Sequence, residues 1–175
     1  MIIAVLILIL ILVHLQPPKT VKKGRVAVRA QSGKEYYVLD SPQKQYVADM
    51  LDKVSHKIEK LVELLPSDNA IHTKFSGTLE ESAPMMGQKF MGYTVNKGQR
   101  IALCIEPKTD ENTLMFIAIH ELAHVMTDEY DHNEQFWNNM KTLLKIAEEN
   151  GLYTYYDYSK EPVEFCGKRI ESTPL

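Results

Sequence analysis

Cysteine is scarce in this chain. Two in 175 residues leave no room for a disulfide-rich scaffold or an all-cysteine metal cluster. Eight glycines and eight prolines exclude collagen-like or proline-rich fibrous character. Acidic residues are missing altogether before Glu35. Long apolar runs are missing everywhere except at the N-terminus. What remains is ordinary for a folded domain: 45% apolar and 25% charged residues exclude wholesale disorder. A net charge of −3 and a pI near 6.1 make no general case for nucleic-acid binding. The average hides a split. Lys19, Lys22, Lys23, Arg25, Arg29 and Lys34 precede the first acid, and from Glu35 onward 14 basic residues face 23 acidic ones, a balance of −9.

Met1 to Val13 is uncharged and apolar, followed by His14, Leu15 and the breaker Gln16-Pro17-Pro18. As a helix, residues 1–15 reach ~22 Å against ~30 Å of bilayer hydrocarbon. The run lacks a charged leading segment and a small-residue cleavage site, so it reads as a short membrane anchor rather than a signal peptide. The basic stretch behind it places the rest of the chain on the cytosolic side, where two unpaired thiols would stay reduced. Three segments are expected: a membrane anchor over 1–16, a basic linker with the start of a hairpin over 17–34, and a single domain over 35–175.

Alternating runs over 25–30 and 35–39 flank Gln31-Ser32-Gly33-Lys34 and predict a hairpin. Ser41 and Pro42 have the form of an N-cap and first helical residue, before apolar positions from Val47 to Leu65 at helical spacing. Residues 71–78 predict a strand and 80–88 a loop. Segments 90–95 and 100–105 surround Asn96-Lys97-Gly98-Gln99 and predict a second hairpin. Asn112 or Thr113 caps a second helix to about Met126. A third helix opens at 131–133 and closes at Asn150-Gly151. The tail after 152 reads as irregular. The order predicts an α+β fold, a small antiparallel sheet packed on the second helix and one or two others, with an N-terminal apolar helix.

The second helix carries the chemistry. Residues 116–126 are apolar all round apart from His120, Glu121 and His124, so those three enter a core. Unpaired ionisable groups there cost several kcal/mol, which a metal ion offsets. Histidines at i and i+4 share a helix face and can converge on one Zn²⁺. Glu121 points ~100° away and would act as general base toward a metal-activated water, the H-E-x-x-H logic of zinc peptidases. A third ligand is required. Tyr130 stands where a metzincin needs its third histidine, so that pattern fails. His132 is favoured, reached by a turn through 128–131. Glu148 or Glu149, with Glu161 and Glu164 behind them, are the alternatives. Cys166 could place a thiolate on the metal. Tyr155, Tyr156 and Tyr158, with Tyr153, are candidate donors to the oxyanion. Residues 90–95 or 100–105 could offer a sheet edge to an extended peptide.

His120-Glu121-Leu122-Ala123-His124, then His132, then Phe136-Trp137, resembles the WLM/SprT-like zinc metallopeptidases. The gap before His132 is slightly longer than theirs. Tyr93 to Gly98, Cys104 and the tail residues Asp157-Tyr158-Ser159, Pro162-Val163 and Cys166-Gly167 also resemble small, N-terminally anchored metallopeptidases of large DNA viruses. The resemblance spans roughly residues 90 to 170. It implies a zincin-like fold and one Zn²⁺ per chain on His120, His124 and His132. It also implies Glu121 as base, a peptide or protein substrate, and a virion or host membrane location through residues 1–15. Relatives act on DNA–protein crosslinks, a substrate the acidic domain here does not support. A non-catalytic zinc-stabilised binding protein and a DNA-associated crosslink protease stand as the competing functions.

Overall fold

Among the described residues, three short hairpins and three long helices make up most of the fold. The computed structural model describes residues 24–85, 87–129 and 131–175. Strand β1 (Arg25–Arg29) pairs antiparallel with β2 (Glu35–Leu39) around the turn at Gly33, as predicted. Tyr36 and Val38 point into the core, and the residues between them point outward. Helix α1 (Lys44–Glu63) buries Val47, Met50, Leu51, Val54, Ile58 and Leu61 along one stripe. Its N-cap is Gln43, two residues later than expected. Ser41 instead closes a preceding turn, its hydroxyl accepting from the Gln43 N–H at 3.3 Å and its carbonyl from the Lys44 N–H at 3.2 Å.

The next stretch differs from prediction. Residues 71–74 form a single helical turn, α2 (Ile71–Lys74), because the Asn69 side chain accepts the Ile71 N–H at 3.0 Å and starts the turn. The strand comes later, as β3 (Leu79–Glu81), and runs into the start of the region read as loop. All three of its residues are buried. β3 runs parallel to β2 and to β5 (Arg100–Leu103), and β4 (Gly92–Val95) pairs antiparallel with β5. The sheet is therefore mixed, in the order β1-β2-β3-β5-β4, not antiparallel throughout. The parallel β2–β3 pair follows from the crossover through α1, which returns the chain to the sheet in the same direction, and the β3–β5 pair from the outer strand β4 made between them. The β4–β5 turn takes left-handed backbone at Asn96 and Lys97, with φ of 48° and 54°.

Helix α3 (Glu111–Met126) is capped by Asp110, whose carboxylate accepts the Thr113 N–H at 2.7 Å. The expected caps, Asn112 and Thr113, lie inside the helix because Asp110, upstream of both, already accepts one of its first free N–H groups. Helix α4 (Glu134–Glu149) is capped by Asn133, which accepts the Phe136 N–H at 2.9 Å. α1 packs against β1, β2 and β3, and α3 against β4 and β5; α1 and α4 both pack on α3. α3 is thus enclosed on several sides, which explains its all-round apolar sequence. The tail is not irregular: β6 (Val163–Phe165) and β7 (Lys168–Ile170) form a hairpin of their own. A disulfide from Cys104 to Cys166 fastens it to the end of β5. The expectation of two reduced thiols is corrected by that bond.

The apolar run over 1–15 and the N-terminal helix expected there lie outside the described residues. Among the described residues no helix is long and apolar enough to cross a membrane. The membrane-anchored placement drawn from the sequence, with its cytosolic domain or virion and host membrane alternatives, is corrected on that finding.

Candidate metal centre

His120 and His124 lie one turn apart on α3, with ring centroids 5.0 Å apart. His132 joins them from the loop between α3 and α4. Its Nε2 stands 3.1 Å from the Nε2 of His120 and 3.1 Å from the Nε2 of His124. One ring nitrogen can share a proton with only one neighbour, so three converging Nε2 atoms do not satisfy one another. Two metal–nitrogen bonds of ~2.0–2.1 Å at a tetrahedral angle span ~3.3 Å, close to the spacing observed. Burial holds His120 down to about 3 and His124 down to about 4, helped by the neighbouring imidazoles and, for His124, by Lys97. Both rings are therefore neutral at neutral pH, the state that offers a lone pair to a metal. Phe136, fully buried, packs against all three rings at centroid distances of 4.8, 4.4 and 4.5 Å. Trp137 lies against His132 at 5.7 Å. Among the described residues these three histidines are the group able to hold a metal ion.

The loop that delivers His132 is tied at several points. Thr127 closes α3 by donating its hydroxyl to the Ala123 carbonyl at 2.8 Å, and Asn139 of α4 donates to the Thr127 hydroxyl oxygen at 3.1 Å. Lys97, in the β4–β5 turn, donates to the carbonyls of Thr127, Asp128 and Glu129 at 3.0, 2.8 and 2.9 Å. An ammonium there complements the negative end of α3 as well as the three carbonyls. Asn133 donates to the Glu129 carboxylate at 2.9 Å. Sequence reading passed over Lys97 as a turn residue. The available signal was a lysine where a hairpin turn favours glycine or asparagine.

Glu121 is 5% exposed and faces the sheet. Its carboxylate accepts the Thr94 hydroxyl at 3.0 Å. Burial raises its pKa to about 7, with the Thr94 bond pulling the other way. Gly92 makes room for it: a Cβ at 92 would lie 2.9 Å from Glu121 Oε1. A cleft of about 290 Å³ opens on the three histidines, Glu121, Gly92, Thr94 and Lys97. Of the two segments expected to offer an edge, β4 is outermost and β5 is interior.

Other sequence candidates fall elsewhere. Tyr158 is fully buried behind Phe116, at a centroid distance of 4.7 Å. Tyr153 packs on the same phenylalanine. Tyr156 donates to the Glu161 carboxylate at 3.0 Å, and Tyr155 stands exposed. None of these tyrosines lines the cleft, because the tail packs across the N-terminal half of α3, away from the histidines. Glu148 and Glu149 end α4 at the surface, Glu164 lies in β6, and none of them joins the histidine group. Cys166 is bonded to Cys104 and offers no thiolate.

Residues 29–173 match the family model described as the WLM domain. A protein of Acanthamoeba polyphaga mimivirus is 32% identical over 99% of this chain and 95% of its own length. One from Invertebrate iridescent virus 6 is 34% identical over 66% of this chain and 69% of its own. The DNA-dependent metalloprotease WSS1 of Saccharomyces cerevisiae is 28% identical over 64% of this chain, which spans 41% of that protein. The crystal structure of Wss1 from the same yeast superposes with a TM-score of 0.51 at 26% identity, covering 66% of this chain and 90% of that one. The family match and these relatives support a metallopeptidase-type protein, and the three converging histidines are a group able to hold its metal. By the match over nearly its whole folded part, and by its full-length viral relative, the chain belongs to the WLM family.

Proposed function

We propose that this protein is a zinc metallopeptidase, with His120, His124 and His132 holding the ion through Nε2. Zinc held there would supply a Lewis acid toward a scissile carbonyl and a more acidic water. Glu121 is placed to accept a proton from the attacking water and to pass one to the leaving amine. Thr94 holds the carboxylate in line, and Gly92 keeps the space beside it free. An extended substrate adds to the open edge of β4 by backbone hydrogen bonds, which brings its carbonyl past Glu121.

One observation carries this reading. A buried carboxylate stands beside a three-histidine set that leaves a coordination position open. A closed structural site uses four ligands and has no work for Glu121. Glu121→Gln should retain one zinc per chain and the wild-type fold, while peptidase activity drops by about 10²–10⁴-fold. Activity that survives the substitution, or folded protein without bound metal, would overturn the proposal. Zinc retained with no activity in the wild type would favour the non-catalytic binding protein instead. The DNA dependence named for the yeast relative motivates a second reading, a crosslink protease. It predicts stimulation by DNA that weakens steeply with salt. The −9 balance from Glu35 onward weighs against it.

A further inference from the structure

A second and larger cavity, about 450 Å³, begins where His120 and Glu121 end. That volume falls within the range of ligand-binding pockets, ~300–1,000 Å³. Four parts of the chain build its walls. Phe90 leads into β4, Phe116 and Ile117 come from α3, Trp137 and Met140 from α4, and Ile170 from β7. Its surface is mostly apolar. Lys168 and the Arg169–Glu171 pair stand on the β7 side. Trp137 is 41% exposed, a large apolar surface left open to solvent on a wall of the cavity. Among the described residues β7 pairs only with β6, so this wall is not part of the main sheet. It is rooted by the Cys104–Cys166 disulfide, next to the residue where β4 begins: the Cys104 N–H donates to the Met91 carbonyl at 2.9 Å.

The geometry points to a side-chain specificity pocket. We propose that this cavity receives a bulky apolar side chain of the substrate, next to the bond that is cut, and that the disulfide-fastened β6–β7 hairpin is its outer wall. The inference rests on the peptidase reading. A peptide added to the edge of β4 passes Glu121, and alternate side chains of an extended strand point to one face. The cavity lies on that path, beyond Gly92. A basic side chain entering it would lose its hydration against the apolar part of the walls and meet Lys168 and Arg169 on the β7 side. A leucine or phenylalanine would bury its surface against the aromatic and aliphatic walls, so its presence is worth at least tenfold or so over glycine.

The test uses the full chain loaded with zinc. Trp137 is the only tryptophan in the chain, so its emission reports occupancy. Blocked extended peptides with a central Leu, Phe, Gly or Lys would be titrated into the Glu121→Gln protein. Leu and Phe peptides should bind at least about tenfold more tightly than Gly and Lys peptides. Equal binding would overturn the pocket. In parallel, wild-type protein would digest an unfolded casein, and the new ends would be sequenced. Large apolar residues should concentrate at one position flanking the cuts; cuts without such a bias would overturn the proposal. Discrimination in the titration with no cleavage by wild type would sink the peptidase reading and leave an apolar peptide-binding pocket standing. Cys104→Ser with Cys166→Ser should loosen the wall, raising KM for Leu and Phe peptides while zinc content holds. An unchanged KM would overturn the hairpin's part. If that variant does not fold, Trp137→Ala removes a wall at an exposed position. Calorimetry on it should show Leu and Gly peptides binding alike, and retained discrimination would count against the pocket.

Discussion

Two parts of this molecule bury ionisable groups, and they are finished differently. In the sheet, Glu80 sits between Arg25 and Arg100 at 3.8 and 3.5 Å. Arg25 donates to the Glu81 carbonyl at 3.0 and 2.7 Å, and the Glu81 carboxylate accepts the Leu39 N–H at 2.6 Å. Charge meets opposite charge, although the buried Arg100 Nε–H finds no hydrogen-bond acceptor among the described residues. Beside α3, three imidazole nitrogens converge on each other with no anion among them, next to a carboxylate held by one hydroxyl. The first cluster is balanced in charge within the chain, whereas the second is a set of nitrogens able to hold a metal ion. Burial alone marks neither as functional; what separates them is which groups are brought together.

The contrast can be broken from either side. Glu80→Ala would strand two guanidinium groups in the sheet and should cost about 3–5 kcal/mol of stability. Denaturant unfolding would show the loss, with zinc affinity nearly unchanged in whatever protein remains folded. A comparable fall in zinc affinity would mean that the two clusters are coupled. His132→Ala should do the reverse, weakening zinc binding by more than about 100-fold while the metal-free protein unfolds much like wild type. Competition with a chromogenic chelator would measure it. Lys97→Met should weaken zinc binding by about 10–100-fold, because the 127–129 carbonyls that set the His132 loop lose their common donor. Lys97→Arg should recover part of that affinity, and no change in either variant would remove Lys97 from the positioning role.

The smallest effect is a pH dependence of the metal-free protein. His120 and His124 are held down to about 3 and about 4, so their stabilising contribution is full above ~6.5 and is lost as pH falls toward those values. Glu121 is raised to about 7, so its contribution is full below ~4.5 and is lost as pH rises through 7. Between these limits two histidines oppose one carboxylate. Unfolding takes up a net proton, and the melting temperature should fall on acidification. Thermal melts in chelator across pH 4.5–6.5 would show it; a rising melting temperature would mean that Glu121 outweighs the pair.

Much of this was legible in advance. The hairpins at 25–39 and 90–105, the long amphipathic helix and the H-E-x-x-H helix all carry local signals of turn chemistry or apolar period. His132 is the favoured third residue because a turn through 128–131 can swing it back, and the structure places its Nε2 3.1 Å from those of both helix histidines. Other features had no local signature. Ile71 to Lys74 alternate in a way that suits a strand, but the Asn69 side chain makes them a helical turn. The parallel placement of β3 depends on the crossover through α1, not on its own three residues. The tyrosines of the tail looked available to the site until Phe116 proved to stand between them and the cleft.

By itself the sequence determined that Glu121 would be buried in α3 and that two imidazoles would share one of its faces, since helical period and an apolar background leave no other arrangement; that those imidazoles stay half-buried at a cleft was decided by the packing. It likewise set the turn residues and the charge split at Glu35. Only the tertiary structure decided that Cys104 and Cys166 meet, that Lys97 grips the loop beyond α3, and that β7 faces α4 across an apolar cavity. Those contacts join residues some 30 to 60 positions apart, and contacts at that range follow from how the elements pack, which no local pattern encodes.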